Sequence, residues 1–304
     1  MAFPELAQDR RLSLLSPPEG RVRMVLDTDT YNEVDDQFAV VHSILSPDKI
    51  DLEAIYAAPF HNKMSSGPAD GMEKSYEEIL RLLERLERSP EGLVHRGSTA
   101  YLADAETPQK SDAAADLAER ALKSTDQPLY VVAIGAITNV ASAILMEPSI
   151  INNIVVVWLG GNALYWPTAH EFNLSQDIHA SRILFDSGAA LVQIPCQPVT
   201  SHLHTTIPEI EAHVAGRGDI GDYLTDIVKG YTEEPVGWSK PIWDIAATSW
   251  VINPSWVPTV LEHSPILTDQ FTWSRDPSRH LIRVATSVDR DSIFRDVFAK
   301  LAGQ

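Results

Sequence analysis

The chain has 304 residues, of which 44% are hydrophobic and 22% are charged, ordinary proportions for a globular protein. Its 42 acidic and 24 basic residues give a formal net charge of −18, so nucleic acid and anionic membranes are not expected partners. The single cysteine, Cys196, excludes an intrachain disulfide and a cysteine-based zinc site. The sequence shows no signal peptide and no apolar run near the ~20 residues of a membrane span, which predicts a cytoplasmic protein.

Strands and helices alternate along most of the chain. Residues 1–20 are expected to form an N-terminal extension that ends in a Pro-Pro-Glu-Gly turn, and residues 21–304 a single domain. Short apolar runs predict strands at 22–26, 52–58, 129–134, 154–159, 191–194 and 281–285. Amphipathic periodicity and stop signals predict helices at 33–46, 69–88, 112–124, 137–146, 177–187 and 291–301, with a mostly helical region over 208–252.

The predicted strands are continuous apolar runs rather than alternating ones, and most are followed by a helix. This pattern is typical of parallel strands that are buried on both faces. It predicts an α/β fold with a mostly parallel central sheet flanked by helices. Ligands of such sheets bind beyond the carboxyl ends of the strands, so the residues that follow each strand are the first candidates for a site.

A cluster of acidic residues follows the first predicted strand. The segment DTDTYNEVDD carries Asp27, Asp29, Asp35 and Asp36, with Glu33 as a fifth acid. One such aspartate would be explained as a helix cap, but four at the end of a buried strand repel one another and favour a bound cation. Oxygen ligands without thiolates or imidazoles select a hard ion, Ca²⁺ or Mg²⁺.

The sequence resembles the inosine-uridine preferring nucleoside hydrolases from about residue 22 to its C-terminus. That family opens with a strand, D-x-D, a short turn, D-D and a helix. The later matching segments are AIGAITNVA at 133–141, LGG at 159–161, EFNLSQD at 171–177 and PIWDIAATSWVI at 241–252. The resemblance implies a Rossmann-like nucleoside hydrolase fold. One departure is the turn at residues 30–34, which is two residues longer than is usual in the family.

The resemblance implies an enzyme of purine salvage that hydrolyses the N-glycosidic bond of ribonucleosides with a Ca²⁺-activated water, as a homodimer or homotetramer. Asp29 is then a metal ligand and the general base. Asp36, the backbone carbonyl of Ile134 and Asp244 complete the metal ligands, and Asp244 also contacts the substrate.

Further residues are assigned to the substrate by the same resemblance. Asp35 matches an acceptor for a ribose hydroxyl, Glu171 and Asn173 match a pair that holds the sugar, and Asn62 matches an active-site asparagine. Tyr165 stands where the family has another asparagine, and Asn162 is the candidate replacement.

Trp243 stands where many members of the family carry a histidine near the nucleobase. An indole cannot act as that acid, but it can stack on a base. A Trp-Asp pair at this place resembles the purine-preferring branch of the family, which predicts that Trp243 contacts a purine. The simpler interpretation is that Trp243 packs in the core as one of seven tryptophans.

Two other functions fit parts of the sequence. The segment MVLDTDT also matches the D-x-D-x-T pattern of haloacid dehalogenase-type Mg²⁺ phosphatases, with Asp27 as nucleophile and Asp29 as acid/base. That interpretation leaves Asp35, Asp36 and the EFN segment unexplained. The third possibility is a protein that binds ribosides without cleaving them.

Overall fold

The alternation of strands and helices is borne out in a computed structural model of the chain, which describes residues 3–123, 125 and 127–304. The strands, in chain order, are β1 (Val22–Thr28), β2 (Ile50–Ala57), β3 (Val94–Arg96), β4 (Leu129–Ala133), β5 (Ile154–Leu159), β6 (Ala190–Ile194), β7 (His204–Thr205), β8 (Lys240–Pro241), β9 (Thr259–His263), β10 (Ile266–Leu267), β11 (Trp273–Ser274) and β12 (Leu281–Ala285).

The α-helices are numbered in the same way. They are α1 (Gln8–Leu14), α2 (Val34–Ile44), α3 (Pro68–Arg85), α4 (Asp112–Leu122), α5 (Thr138–Met146), α6 (Phe172–Gln176), α7 (Ile178–Asp186), α8 (Ile207–His213), α9 (Gly218–Lys229), α10 (Ile245–Ile252) and α11 (Arg290–Leu301). Among the described helices none is both long and apolar enough to cross a membrane.

Eight strands form the central sheet in the order β3-β2-β1-β4-β5-β6-β12-β9. All neighbouring pairs are parallel except β12 and β9, which are antiparallel. The predicted α/β fold with a mostly parallel sheet is therefore confirmed. The chain proceeds from β1 to β2 and β3 on one side and from β4 to β5 and β6 on the other. The strand order thus reverses between β1 and β4, the kind of position where such sheets bind ligands.

Both faces of the sheet are buried, which explains why the strands read as continuous apolar runs. In β1, Met24 and Leu26 belong to one hydrophobic cluster, whereas Val25 belongs to the other. The first cluster contains residues of α2, α3, α10 and α11, and the second contains residues of α4, α5 and α7. A strand with one exposed face has a polar residue at every second position. A strand that is buried on both faces does not, so most of its residues are apolar.

Several regions differ from the sequence-based prediction. Strands β3 and β9 lie at the two edges of the sheet and were not predicted, and neither was the separate pair of β10 and β11. The region predicted as mostly helical contains three helices but also a long non-helical segment between α9 and α10, in which β8 pairs with β7. The end of the helix predicted to reach residue 124 lies outside the described residues.

The segment that precedes the sheet is folded onto it. Helix α1 occupies residues 8–14, and Leu6, Leu14 and Leu15 join the first hydrophobic cluster. The buried Arg11 donates an Nη1 hydrogen bond to the carbonyl of Gly188, at 2.5 Å. Residues 1 and 2 of the predicted extension lie outside the described residues.

Candidate active site

The acidic residues of the segment 27–36 lie on three successive parts of the chain: the end of β1, the turn that follows it and the start of α2. Asp27 lies on β1 and its Oδ1 accepts a hydrogen bond from Asn139 Nδ2 at 2.7 Å. Asp29 follows the strand, and Asp35 and Asp36 lie in the first turn of α2, where the helix dipole favours negative charge. The Thr28 hydroxyl, at the end of β1, donates to Asp36 Oδ1 at 2.6 Å and so joins the strand end to the helix.

Three buried aspartates meet at the carboxyl edge of the sheet. One carboxylate oxygen from each of Asp35, Asp36 and Asp244 lies within 4.8 Å of the other two. Asp244 comes from the start of α10, far away in the sequence. The structure therefore brings together Asp36 and Asp244, two of the predicted metal ligands, with Asp35 as the third member of the group.

Asp29 lies next to this group but deeper in the protein. It is fully buried, and the nearby charges of Asp36 and Asp35 add to burial in raising its pKa well above the usual value. The close approach of Asp29 to β4 depends on Gly135, because a Cβ atom there would lie 3.0 Å from both Cγ and Oδ1 of Asp29. No larger residue fits at position 135 without displacing the carboxylate.

Several oxygens of the acidic cluster lack the hydrogen bonds that buried carboxylates ordinarily have. Both oxygens of Asp29 and Oδ1 of Asp35 are buried without a partner among the described residues. Burial raises the pKa of Asp36 and Asp244 well above their usual value, and the charge of Asp35 raises both further. Burial also raises the pKa of Asp35, to about 6, although the Lys240 ammonium opposes the shift.

These unpaired oxygens fit a hard divalent cation. Crowded carboxylates of like charge are costly to bury unless a cation or protons compensate them. The donors are all oxygens, which suits Ca²⁺ or Mg²⁺. The predicted carbonyl ligand of Ile134 lies on the wall of the same cavity, where Asn173 Nδ2 donates to it at 3.0 Å. A carbonyl oxygen has a second lone pair, so this bond leaves one for a cation.

A cavity of about 410 Å³ opens above the acidic cluster. None of its lining residues, among those the structure describes, is a lysine or an arginine, so it suits an uncharged ligand better than a phosphate ester. The lining residues are Asn32, Glu33, Asp35, Asp36, Asn62, Ile134, Leu159, Asn162, His170, Glu171, Phe172, Asn173, Cys196, Gln197, Trp243 and Asp244.

The phosphatase alternative is wrong. Its nucleophile, Asp27, is fully buried, is hydrogen-bonded to Asn139 and does not line the cavity. Burial raises the pKa of Asp27 to about 7, although the hydrogen bond from Asn139 lowers it. A raised pKa disfavours the ionised form that a nucleophilic carboxylate needs. A nucleophile must reach the substrate, and one oxygen of this carboxylate is instead held by Asn139, in the first turn of α5.

The two residues predicted to hold the sugar lie on the cavity wall, but each also organises the backbone. The Glu171 carboxylate caps α6 by accepting hydrogen bonds from the backbone N–H groups of Asn173 and Leu174, and it also accepts one from the N–H of Gly161, just after β5. The Asn173 amide donates from Nδ2 to the carbonyls of Ile134 and Leu159, both at 3.0 Å. Its Oδ1 is the atom left to accept from a ligand.

Asn162, the candidate replacement for the family's asparagine, forms hydrogen bonds with the backbone of nearby loops. Its Nδ2 donates to the carbonyls of Thr168 and His170, both at 3.1 Å, and its Oδ1 accepts from the Gln197 backbone N–H. These bonds hold the loop over residues 162–170 in place. Asn162 is thus brought to the cavity, with its donors directed at the backbone.

Asn62 and Trp243 also line the cavity. Asn62 Nδ2 donates to Oδ1 of Asn32, which belongs to the long turn at residues 30–34, at 2.5 Å. Trp243 is half-buried and its indole Nε1 is buried without an acceptor among the described residues. The Lys240 ammonium lies 4.3 Å from the centre of the Trp243 ring, so one face of the indole is already covered.

Several cavity residues were not selected from the sequence. His170 lies at the rim with its ring edge-on to Phe271, and Cys196 and Gln197 follow β6. Burial raises the pKa of the Cys196 thiol to about 12, and the charge of Glu171 adds to the effect. The rule that ligands bind after parallel strands could have indicated Cys196 and Gln197, since both directly follow a strand.

Comparison with known proteins assigns the family. The profile of the inosine-uridine preferring nucleoside hydrolases matches residues 24–295. The pyrimidine-specific ribonucleoside hydrolase RihA of Salmonella dublin is 26% identical over 255 residues, which cover 74% of this chain and 78% of that protein. The putative pyrimidine-specific ribonucleoside hydrolase RihB of Shigella boydii is 30% identical over 148 residues, 45% of this chain and 60% of that protein.

Two solved structures have a similar fold. The purine-preferring ribonucleoside hydrolase from Gardnerella vaginalis superposes with a TM-score of 0.76 at 22% identity, covering 92% of this chain and 98% of that one. The plant nucleoside hydrolase PpNRh1 superposes with a TM-score of 0.73 at 20% identity, covering 93% of this chain and 99% of that one. The chain therefore belongs to the inosine-uridine preferring nucleoside hydrolase family and is a ribonucleoside hydrolase.

Proposed function

We propose that this chain hydrolyses ribonucleosides to ribose and free base with Ca²⁺ as its cofactor, and that it prefers purine nucleosides. The observation that carries the proposal is the group of buried, unpaired carboxylate oxygens beneath a cavity whose lining, within the described part of the chain, has no lysine or arginine. Asp29, Asp36, Asp244 and the carbonyl of Ile134 are the residues that would hold the ion. When bound, Ca²⁺ would supply the positive charge that acidifies a water molecule beside the sugar.

The other proposed roles, charge stabilisation, proton transfer and sugar binding, fall to residues in and around the cavity. Cleavage of the N-glycosidic bond develops positive charge on the sugar, which the carboxylates of Asp35 and Asp244 stabilise. Asp29, whose pKa is raised by burial and by its acidic neighbours, is the proposed general base for the attacking water. The Asp35 carboxylate and Asn173 Oδ1 accept hydrogen bonds from ribose hydroxyls, and Glu171 holds α6 so that Asn173 keeps its position.

The preference for purines is proposed from Trp243. The Lys240 ammonium covers one face of the indole, which leaves the other face for a planar base, and a purine offers the larger ring system for stacking. The similar proteins are divided on this point, since one is named purine-preferring and others pyrimidine-specific.

Release of free base from a panel of ribonucleosides tests this function and its specificity together. We expect inosine, adenosine or guanosine to have a higher kcat/KM than uridine and cytidine. Trp243→Ala should narrow that difference, whereas Trp243→Phe, which keeps an aromatic face, should preserve most of it. The proposed preference is wrong if uridine is the best substrate. It is also wrong if Trp243→Ala leaves the ratio of kcat/KM for purine to pyrimidine ribonucleosides unchanged.

The sugar contact of Asn173, and the support that Glu171 gives to it, are tested with Asn173→Ala and Glu171→Ala. Loss of a hydrogen bond to a charged or buried partner corresponds to about a tenfold to hundredfold loss of kcat/KM with ribosides. We expect smaller losses with 2′- or 5′-deoxyribosides, because these substrates already lack one partner group. Equal losses with all of these substrates would show that the loop is only structural.

Because Glu171 also caps a helix, its variant needs a control for stability. Glu147 caps a short helix away from the cavity, accepting from the Ser149 backbone N–H at 3.3 Å. Glu147→Ala should lower the melting temperature without the dependence on substrate hydroxyls that is expected for Glu171→Ala.

We also propose that the protein acts in purine salvage in the cytoplasm as a homodimer or homotetramer. Exposed apolar side chains on the edge strand β9 and on β10 support self-association, since Val260, Leu261 and Ile266 are each about two-fifths exposed. Light scattering of the purified protein would give its oligomeric state.

A further inference from the structure

Lys240 is a buried lysine beside the cavity. It is only 6% exposed, and its ammonium donates a hydrogen bond to Glu33 Oε2 at 2.6 Å. Lysine is almost never this buried unless it is paired, because removing an ammonium from water is costly. Strand β8, which carries Lys240, pairs with β7, so the backbone at this position is fixed as well.

The same ammonium lies against two aromatic rings. It is 4.3 Å from the ring centre of Trp243 and 5.1 Å from that of Tyr231. The Tyr231 hydroxyl in turn accepts a hydrogen bond from the Val34 backbone N–H at the start of α2. Lys240 therefore joins the indole to the long turn at residues 30–34 in two ways, through Glu33 directly and through Tyr231.

The position of Lys240 relative to the cavity indicates what this arrangement does. Glu33 and Trp243 line the cavity, whereas Lys240 and Tyr231 do not, so the ammonium lies behind the indole. The Trp243 Nε1 has no acceptor among the described residues, so no hydrogen bond of its own fixes the ring. The indole also packs against the first hydrophobic cluster, and the contact with the ammonium adds a polar interaction on the face of the ring.

We infer that Lys240 is a positioning residue that fixes the Trp243 indole as the wall against a planar nucleobase and couples that wall to the long turn. The inference rests on the proposed function only in taking the ligand to be a riboside with a planar base. Lys240 itself does not touch the ligand. Its effect is expected to be larger on the affinity for the base than on the affinity for the sugar, which its charge reaches only through Asp35.

The experiment compares Lys240→Met, which keeps the length of the side chain without its charge, with Lys240→Arg. Calorimetry measures the affinities for a free purine base and for ribose separately, with Ca²⁺ present, and needs no turnover. Lys240→Met should weaken binding of the base about tenfold and binding of ribose by a clearly smaller factor, because the lost charge also lay close enough to act on Asp35. Lys240→Arg should restore most of the affinity for the base, because a guanidinium also stacks on aromatic rings.

Two further variants make the result specific. Lys229 forms an exposed ion pair with Glu211 at 2.7 Å, and Lys229→Met should leave both affinities unchanged. Glu33→Gln keeps Lys240 but removes its charged partner. It should also weaken binding of the base, by a smaller factor than Lys240→Met does. This more exposed position provides the test if Lys240→Met does not fold.

The outcomes separate this inference from the proposed function. Base affinity that stays within twofold in a folded Lys240→Met protein, or equal weakening of base and ribose, would overturn the role of Lys240. If instead the wild-type protein releases no base from any ribonucleoside, the proposed function fails, while the two binding measurements still decide the role of Lys240.

Discussion

Asp29→Asn is expected to lower kcat by about 10²–10⁴-fold, the usual contribution of a general base. Asparagine has nearly the same volume as aspartate, so the buried site keeps its packing, but the side chain can no longer accept a proton at neutral pH. Without a bound cation the variant should also be more stable than the wild type, because it removes one of several crowded and unpaired charges. Steady-state kinetics and thermal unfolding in chelator measure the two effects.

Two comparisons sharpen this test. Asp27→Asn makes the same change two residues away, at a carboxylate that does not line the cavity, and should lower kcat by less than about tenfold. Asp29 is buried and does not itself line the cavity, so the loss of turnover can also arise through the cation alone. Recovery of turnover by a large excess of Ca²⁺ would assign Asp29 only as a ligand, and near-normal turnover without excess Ca²⁺ would place the general base elsewhere.

Removal of divalent cations is expected to abolish base release, and added Ca²⁺ to restore it. Because a ligand that binds only the folded state stabilises it, Ca²⁺ at about 100 times its Kd should raise the free energy of unfolding by roughly 2.7 kcal/mol. Activity assays and thermal unfolding with chelator, Ca²⁺ or Mg²⁺ measure both effects and also distinguish the two ions. Full activity of the metal-free protein would contradict the cofactor proposal.

The metal-free protein should also show a characteristic dependence on pH. The pKa of Asp29, Asp36 and Asp244 is raised in the folded state, so that state binds more protons than the unfolded chain above pH 4 or so. Stability from these groups is therefore present at acidic pH and lost as the pH rises through their folded pKa. Chelated protein should unfold more easily at pH 8 than at pH 5, and the stabilisation by Ca²⁺ should be larger at pH 8.

The parts of the fold that could be predicted are those whose signal is local. The central strands were found because burial on both faces makes them apolar throughout. Strand β3 has no such signal, since it is three residues long and none of its side chains is fully buried. In β9 the side chains are exposed or half-buried, as expected of an antiparallel edge strand, and the sequence lacks an apolar run there.

In the site, too, the residues that could be predicted are those with a local signal in the sequence. The four aspartates at positions 27 to 36 could be recognised as a cluster because they are close in the sequence. Asp244 was assigned through the family resemblance alone, and no spacing rule connects it with the first strand. The pairing of Glu33 with Lys240 joins positions 207 residues apart and could not be predicted, because an isolated lysine in a sequence is ordinarily a solvated side chain.

The Glu33–Lys240 pair has a consequence for protein engineering. Transferring the long turn at residues 30–34 into a relative with the shorter turn would bring Glu33 to the rim of the cavity without its ammonium partner. The recipient would then carry another unpaired carboxylate beside an already crowded acidic cluster. A successful exchange has to move the turn, Lys240 and Trp243 as one unit, and the same restriction would make these three features change together as sequences diverge.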